Sequence, residues 1–582
     1  MDNLAIARVL AEIGDLLEIK NENSFKIRAY RNAADSAAHS TQRLSDLTAA
    51  QRLAIPGIGK DLSAKIGELI ETGVIAYHQE LLREFPATIL DLLHLQGVGP
   101  KTAALLYREL NIKNLDELER AIREGRLRAV KGLGPKKETQ ILRAISERAQ
   151  LAGRRLLAEA SDAAEAIVSA LRSHAPEATI SIVGSLRRGC ETTGDLDILA
   201  AGAPTSLMAA FTGYRLVERV LAHGETKSSV LLFGGLQADL RVVPRESLGA
   251  ALQYFTGSKA HNIALRDRAL QRGLKLNEYG VYRTDDDVAV AGSDEDEIYR
   301  ALGLAPIPPE LREGRGEIQA AERDELPALV TRQHLRGDLH MHTTASDGRA
   351  DLETMAQAAL AVGHTYVAIT DHSQSLAMAN GLDERGALEH AARIRALNDR
   401  LDGITLLAGI ECDIRPDGRM DLADDCLAAL DIVIASVHSA FSQEPEQMTD
   451  RLLRALECPW VDILAHPTGR LLLKREGYRY DMDRVFDAAA GYGVAVEINS
   501  KVDRLDLRDT HARLAKERGL KLVIDSDAHS AAALEGLRWG VLVARRAWLT
   551  ADDILNTRPI EQFRASLRRR RNTPSHSPTF TG

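Results

Sequence analysis

The sequence predicts a multidomain chain of three differently built parts: an all-α N-terminal region, an α/β core and a C-terminal (β/α) barrel. Three observations lead there. Residues 4–148 repeat apolar side chains every three or four positions between short turns, the period of amphipathic helices. Residues 153–304 alternate helix-like runs with short β-rich runs at 179–183, 196–199, 230–233 and 238–243. Residues 336–557 alternate strand and helix regularly, with strand candidates at 366–370, 405–409, 432–436, 461–465, 494–498 and 521–524. Several of these end in a polar residue, which a barrel places at its C-terminal strand mouth.

The bulk composition agrees and excludes some classes. A chain of 582 residues holds about three to five domains at ~100–200 residues each. Hydrophobic residues at 45 % permit large cores, while aromatics at 4 % argue against binding through many stacking platforms. A net charge of -9 argues against holding phosphate by surplus cationic side chains, but backbone N–H groups bind phosphate without side-chain charge. Cys190, Cys412, Cys426 and Cys458 form no C-x-x-C pair and read as reduced thiols of a cytoplasmic protein. The start, Met1-Asp2-Asn3, has neither the basic residues nor the apolar run of a signal peptide, and no run of ~18 apolar residues predicts a membrane span.

In the helical region glycine recurs in three similar turns: Ile55-Pro56-Gly57-Ile58-Gly59-Lys60, Leu95-Gln96-Gly97-Val98-Gly99-Pro100-Lys101 and Val130-Lys131-Gly132-Leu133-Gly134-Pro135-Lys136. Each precedes a helix-forming run. Glycine permits a tight turn whose amide N–H groups point outward at a helix N-terminus, toward a phosphate, without reading sequence. These turns resemble helix-hairpin-helix elements, which makes Gly57, Gly59, Lys60, Lys65, Gly97, Gly99, Lys101, Gly132 and Gly134 candidate DNA contacts.

The core carries the first chemical site. Gly184-Ser185-Leu186-Arg187-Arg188-Gly189 follows a strand, and Asp195-Leu196-Asp197 comes shortly after. Residues two apart in a strand face the same way, so both carboxylates reach one point. Asp239 lies in a later strand, and three carboxylates beside a Gly-Ser turn suit two Mg²⁺ ions and a triphosphate. This order is the nucleotidyltransferase arrangement. Residues 184–189 resemble the G-S-x-R-R-G turn of family X DNA polymerases, the group that includes DNA polymerase beta, and Tyr254-Phe255-Thr256-Gly257-Ser258-Lys259-Ala260-His261-Asn262 resembles their nucleotide-binding segment. The resemblance implies Asp195, Asp197 and Asp239 as metal ligands and Gly184, Ser185 and Arg188 at the triphosphate. It also implies Tyr254 and Phe255 beside the sugar, Gly257 at a close backbone approach with Ser258 following, Asn262 on the minor-groove edge of the base and Arg266 toward the template. Lys259 departs from the vertebrate pattern, where an acidic residue is usual, and is expected to help hold the dNTP. In DNA polymerase beta the small front domain binds a 5′-phosphate and removes deoxyribose phosphate through a lysine Schiff base. The matching positions are Lys26, Tyr30 and Lys65, with Asp61 and Phe25 as departures from the pattern.

The barrel carries the second site. Asp338-Leu339-His340-Met341-His342 opens it and Ser346-Asp347-Gly348 follows. His372, Glu411, His438, His466, Asp527 and His529 then lie near successive strand ends. Imidazole and carboxylate without thiolate suit Mn²⁺, Zn²⁺ or Fe²⁺, and up to three ions so held support phosphoester hydrolysis. Motif by motif, residues 336–550 resemble the polymerase and histidinol phosphatase (PHP) domain, a distorted (β/α) barrel. Arg415 and Lys501 follow ligand strands and are candidates for the scissile phosphate; Cys412 has no assigned role, and His334, His364 and His511 read as structural or surface.

In their order, these parts resemble bacterial and archaeal family X polymerases (PolX). The expected division is 1–85 and 86–152 for the helical DNA-binding domains, 153–245 for the palm, 246–305 for a thumb-like nucleotide-selection subdomain, 306–335 for a linker, 336–557 for the PHP domain and 558–582 for a basic, disordered tail. The resemblance implies a monomeric, cytoplasmic, nucleoid-associated enzyme of base excision repair. It would fill short gaps in nicked or gapped duplex DNA bearing a 5′-phosphate, using dNTPs and Mg²⁺. In the PHP site it would use Mn²⁺ or Zn²⁺ to remove 3′ nucleotides and to open abasic sites. The rival reading is a PHP small-molecule phosphatase with an accessory DNA-binding front end; a non-catalytic DNA-binding scaffold is the other.

Overall fold

The computed structural model describes residues 3–38, 44–55, 57–86, 88–93, 95, 98–130, 133–134, 137–139, 141–142, 153–376 and 379–567. The chain divides into two compact units, Met1–Ala152 with Ala377–Asn380 and the remainder. No described helix is long and apolar enough to cross a membrane.

The first unit is helical and shares one apolar core running from Ile6 to Ile141. The amphipathic spacing explains this: Ile6, Leu10, Ile13 and Leu17 of helix Asn3–Lys20 recur every three or four residues and are fully buried. Helices Lys60–Thr72 and Pro100–Leu110 start directly after Gly59 and Gly99, both extended N-caps with no side-chain cap bond. Gly57 has φ +87°, the left-handed backbone that the turn requires.

The second unit contains the core and the barrel together. The core sheet has five strands in the order Thr179–Ile182, Asp195–Ala201, Gln237–Val243, Lys227–Leu232 and Val217–His223. Its central pair is parallel, and helix Leu157–His174 buries Leu157, Ala160, Ala164, Ile167, Val168 and Leu171 in the same cluster as the sheet. Strand Val217–His223 was not expected from the sequence. It is an edge strand with almost every residue exposed, so it lacks the inside–outside alternation that marks a half-buried strand. Helices Leu248–Thr256 and Lys259–Gln271 and a three-stranded antiparallel sheet follow.

Residues 306–335 are not an extended linker. They form a short helix, Glu317–Glu322, between the 3₁₀ turns Pro309–Leu311 and Arg332–His334. Ile307, Leu311, Ile318 and Ala321 join the core of the thumb-like subdomain, and Val330 is fully buried against the barrel. Arg312 pairs with Glu295 at 2.5 Å, partly buried, and Glu317 with His261 at 2.7 Å, fully buried. Periodicity missed this because the segment packs through scattered apolar residues around fixed prolines rather than through one amphipathic face.

The barrel has seven parallel strands in sequence order: Gly337–Asp338, Tyr366–Ile369, Thr405–Asp413, Ile432–Ser436, Ile463–Leu464, Ala495–Asn499 and Leu522–Asp525. A parallel bridge between Met341 and Ala528 joins its first and last edges. Alternation decides the layers: Val367 and Ile369 face the helices, whereas Tyr366 and Ala368 join a second cluster with Leu407, Ile434 and Val523. Residues 558–567 belong to this fold and not to a disordered tail. Helix Ile560–Ser566 sends Phe563 into the second cluster, stacked on Tyr366 at 5.4 Å, and Leu567 follows it. The arginine run 568–571 lies outside the described residues.

Candidate functional site

Parallel register builds the polymerase-like site. Asp197 pairs with Asp239 and Asp195 with Gln237, so adjacent strands bring three carboxylates together. Burial, then repulsion from Asp195 and Asp239, raises the Asp197 carboxyl to about 6. Lys227 offsets part of this charge through a 2.9 Å pair with Asp239, which also accepts from Gln237 at 2.9 Å. Three mutually repelling carboxylates, offset in part by Lys227 and Arg241, form a donor set that fits hard divalent cations. Gly184, with φ +68°, passes so close to Asp197 that a Cβ there would lie 2.2 Å from its Oδ2.

The candidate phosphate turn, residues 184–189, is braced. Ser185 Oγ lies 2.6 Å from Thr193 Oγ1, and Thr193 donates to the Asp195 carbonyl. Arg187 pairs with Glu295 at 2.6 Å. Arg188 donates to Glu313 and to the Thr256 carbonyl, both at 2.9 Å. Tyr254 and Phe255 meet edge to face at 5.1 Å, and Arg241 stacks over Phe255. Asn262 is fixed by Gln253 and by the carbonyls of Tyr254 and Gly257. Gly257 is required by proximity, since a Cβ would stand 2.6 Å from Asn262 Oδ1; Ser258 caps the next helix. Lys259 and Arg266 are exposed on that helix.

At the barrel mouth all nine sequence-predicted ligands converge. Three overlapping groups offer ligand atoms within 4.8 Å of one another: His342, Asp347, His372 and His529; His340, His342 and Asp527; His372, Glu411 and His438. His466 Nε2 joins through Glu411 at 2.9 Å. His466 and Asp527 sit just past their strands with φ +26° and +52°, so left-handed backbone turns their side chains to the centre, at about 1–2 kcal/mol each. Burial, then Arg504, lowers His466 to about 3; burial, then His372, lowers His342 to about 4. Neutral imidazole is the ligating form. Buried His340 Nε2, both ring nitrogens of His342 and Glu411 Oε2 make no hydrogen bond among the described residues, which suits atoms reserved for metal.

Of the surrounding residues, Glu497, Asp413 and Arg504 were not anticipated. Glu497 accepts from or pairs with His340 Nδ1 at 2.7 Å and accepts the His466 N–H at 2.6 Å. Asp413 holds His438 Nδ1 at 2.6 Å. A carboxylate inside the otherwise apolar run at 494–498 was the available signal for Glu497. Arg504, 15 % exposed, places Nε 3.8 Å from Asp527 Oδ2. Lys501 Nζ lies 3.9 Å from the same oxygen, whereas Arg415 is committed to Asp421 at 3.1 Å. Cys412 is buried, its thiol pushed up to about 12 by burial.

In the helical unit, Lys26 donates to Tyr77 Oη at 2.8 Å and Tyr30 stacks against the same ring at 6.4 Å. Lys65 is bound to Asp61 at 2.5 Å. Tyr77 is thus the shared element of this cluster, and no motif marked it. Lys60 and Lys101 are exposed on first helical turns behind Gly59 and Gly99, and Gly134 is described; Gly97 and Gly132 lie outside the described residues.

Known families match the chain in the same order. A helix-hairpin-helix domain model matches residues 1–75, a SAM-like helix-hairpin-helix tandem 89–147, the DNA polymerase beta palm 157–238, the DNA polymerase beta thumb 251–313 and the PHP domain 338–501. Asp239 falls just past the palm match, and Asp527 and His529 lie well beyond the PHP match, yet the structure carries all three into the two sites. A "probable phosphatase" of Thermoanaerobacter sp. (strain X514) is 29 % identical over 231 residues, 38 % of this chain and 89 % of that protein. Another, from Shewanella sp. (strain MR-4), is 30 % identical over 233 residues, 38 % of this chain and 88 % of that protein. The "DNA polymerase/3'-5' exonuclease PolX" of Bacillus subtilis (strain 168) is 38 % identical over 567 residues, 97 % of this chain and 99 % of that protein. With a relative matched from end to end and both sites assembled, the chain belongs to the PolX family of DNA polymerase/3'-5' exonucleases.

Proposed function

We propose that the chain fills short gaps as a template-directed DNA repair polymerase and removes 3′ nucleotides with its PHP site. The observation that carries this reading is collinearity: the end-to-end match to a polymerase/exonuclease coincides with two separately assembled acidic and histidine-rich sites in one chain.

In the polymerase site Asp195, Asp197 and Asp239 would hold two Mg²⁺, which when bound supply charge neutralisation at the attacking oxygen and the triphosphate. The chain's own groups position the substrates. Gly184, Ser185 and Arg188 take the β- and γ-phosphates, Tyr254 and Phe255 wall the sugar, Asn262 meets the base and Lys259 and Arg266 reach the nucleotide and template. The primer 3′-oxygen, losing its proton, then attacks the α-phosphorus in line as the bond to the α–β bridging oxygen breaks and pyrophosphate leaves, a reaction whose rate comes from orientation and preorganised charge.

In the barrel, His340, His342, Asp347, His372, Glu411, His438, His466, Asp527 and His529 would hold up to three Mn²⁺ or Zn²⁺ ions, which when bound supply Lewis-acid activation of water and phosphate. Glu497 and Asp413 orient the imidazoles. Lys501 and Arg504 bring positive charge to the rim, where the phosphodiester lies, and opening of abasic sites uses the same residues. Lys26, Tyr30 and Lys65 with Tyr77 receive the 5′-phosphate of the gap. Lyase chemistry is left out of this reading, because Asp61 stands where the family has a phosphate-binding lysine and engages Lys65 at 2.5 Å. Action as a cytoplasmic, nucleoid-associated monomer in base excision repair completes this reading.

One gel tests it. A labelled primer faces a single-nucleotide gap bearing a 5′-phosphate, in Mn²⁺, with and without dNTPs. Asp195→Ala/Asp197→Ala should only shorten the primer and His340→Ala/His342→Ala should only extend it. The probable phosphatases support the rival reading, which takes over if the wild-type protein does neither yet hydrolyses a small phosphate monoester.

A further inference from the structure

The phosphate turn of the polymerase is held from behind by the barrel domain. Helix Leu537–Arg546 places Leu542 against Gly189, where a Cβ would lie 3.3 Å from the leucine Cβ. Four residues on, Arg546 Nη1 donates to the carbonyl of Arg188 at 2.9 Å and to Glu313 Oε1 at 2.8 Å. That same Glu313 oxygen accepts from Arg188 Nε at 2.9 Å. The other side of Arg546 binds Asp509 at 2.9 Å, and Asp509 also takes Arg315 at 2.9 Å. Arg546 is 8 % exposed, and the Arg188 and Glu313 side chains are 14 % exposed, so solvent screens this network little.

The charges decide what the network does. Three guanidiniums, Arg188 of the turn with Arg315 and Arg546 behind it, face two carboxylates, Glu313 and Asp509, which leaves one net positive charge over the turn and its backing together. Arg188 has Nε on Glu313 and Nη1 on the Thr256 carbonyl, while among the described residues Nη2 has only Cys190 Sγ at 3.8 Å. Nη2 is therefore the donor poised for an oxyanion. Without Arg546, Glu313 would neutralise Arg188 alone, and the turn would lose its surplus charge.

We propose that Arg546, a residue of the barrel domain, is a positioning residue for polymerisation. By sharing Glu313 with Arg188 and tying down the Arg188 carbonyl, it keeps the phosphate turn charged and aligned for the triphosphate of the incoming nucleotide. The proposal rests on the polymerase reading above.

The test is steady-state gap filling by the full chain with dTTP as probe. Arg546→Gln should raise KM for dTTP about tenfold with kcat within about twofold, the expected loss of one unit charge near a polyanion. Arg546→Lys, which keeps the charge, should recover most of the loss. Adding Glu313→Gln to Arg546→Gln should restore KM, because Arg188 is then no longer neutralised. Glu313→Gln alone should lower KM, a gain that damage to the fold cannot mimic. Exonuclease activity of each variant reports an intact barrel. The proposal is overturned if Glu313→Gln leaves KM unchanged or raises it, or if the double variant stays as weak as Arg546→Gln. If wild-type protein extends no primer, the polymerase reading itself fails, and this outcome is distinct from wild-type extension with unaltered KM in the variants.

Discussion

A methyl group on Gly184 tests whether the proposed phosphate turn and the proposed catalytic carboxylates form one rigid assembly. Gly184 has φ +68°, and an alanine held there costs about 1–2 kcal/mol in backbone strain. The new Cβ would also fall 2.2 Å from Asp197 Oδ2 and 3.1 Å from both Cβ and Cγ of Asp197. Ordinary carbon–oxygen contacts begin near ~3.3 Å, so the carboxylate or the turn must give way by roughly 1 Å. A displacement of that size at a reacting centre lowers rate by about 10²-fold. Gly184→Ala should therefore lose about a hundredfold or more in kcat/KM for filling a single-nucleotide gap. The barrel supplies the internal control: the same preparation should degrade a 3′ end at the wild-type rate and retain its metal. Gap filling within threefold of wild type would refute the reasoning, because the turn would then be free to move away from Asp197. Equal loss of both activities would refute it differently, since the damage would be global rather than confined to one carboxylate.

Further outcomes follow from the same geometry. Asp197 is raised to about 6 by burial and its two acidic neighbours, so a proton competes with metal below that value. Mg²⁺ affinity of the polymerase site, measured by calorimetry, should weaken by about tenfold per pH unit below about 6 and level off above it; a flat profile between pH 5 and pH 7 counts against the carboxylate cluster. Glu497→Gln removes the charged partner of His340 Nδ1 without touching a ligand. Metal bound by the barrel should fall in affinity by about 10–100-fold, read by metal analysis after dialysis, while primer extension persists. Asp61→Asn frees Lys65 from its 2.5 Å carboxylate partner. Anisotropy should then show a larger preference for 5′-phosphorylated over 5′-hydroxyl gaps, and an unchanged preference would remove Lys65 from the phosphate pocket.

Much of the molecule was legible in its residues because the signals are local. Apolar spacing of three to four marks helix Asn3–Lys20, and the alternating strand–helix rhythm marks the barrel, since backbone geometry imposes these periods wherever an element has one buried face. The Gly-Ser turn, the Asp-x-Asp pair and the nine barrel ligands were readable for the same reason: each sits at a strand end or on one strand face. The sequence alone therefore determined most of the elements, their order and the candidate residues that the structure brings together in the two sites.

What tertiary structure alone decided are the relations between residues far apart in the chain. Residues 306–335 look like a linker because their apolar residues follow no period, yet Arg312 and Glu317 find partners in Glu295 and His261. Phe563 looks like part of a tail until Tyr366 offers a ring to stack on. Glu497, Asp413, Arg504 and Tyr77 support their sites from other strands, loops and helices, at sequence distances no motif spans. Arg546 lies 358 residues from the Arg188 carbonyl it binds. Such contacts come from packing and from pairing of buried charge, which depend on three-dimensional proximity rather than on spacing along the chain.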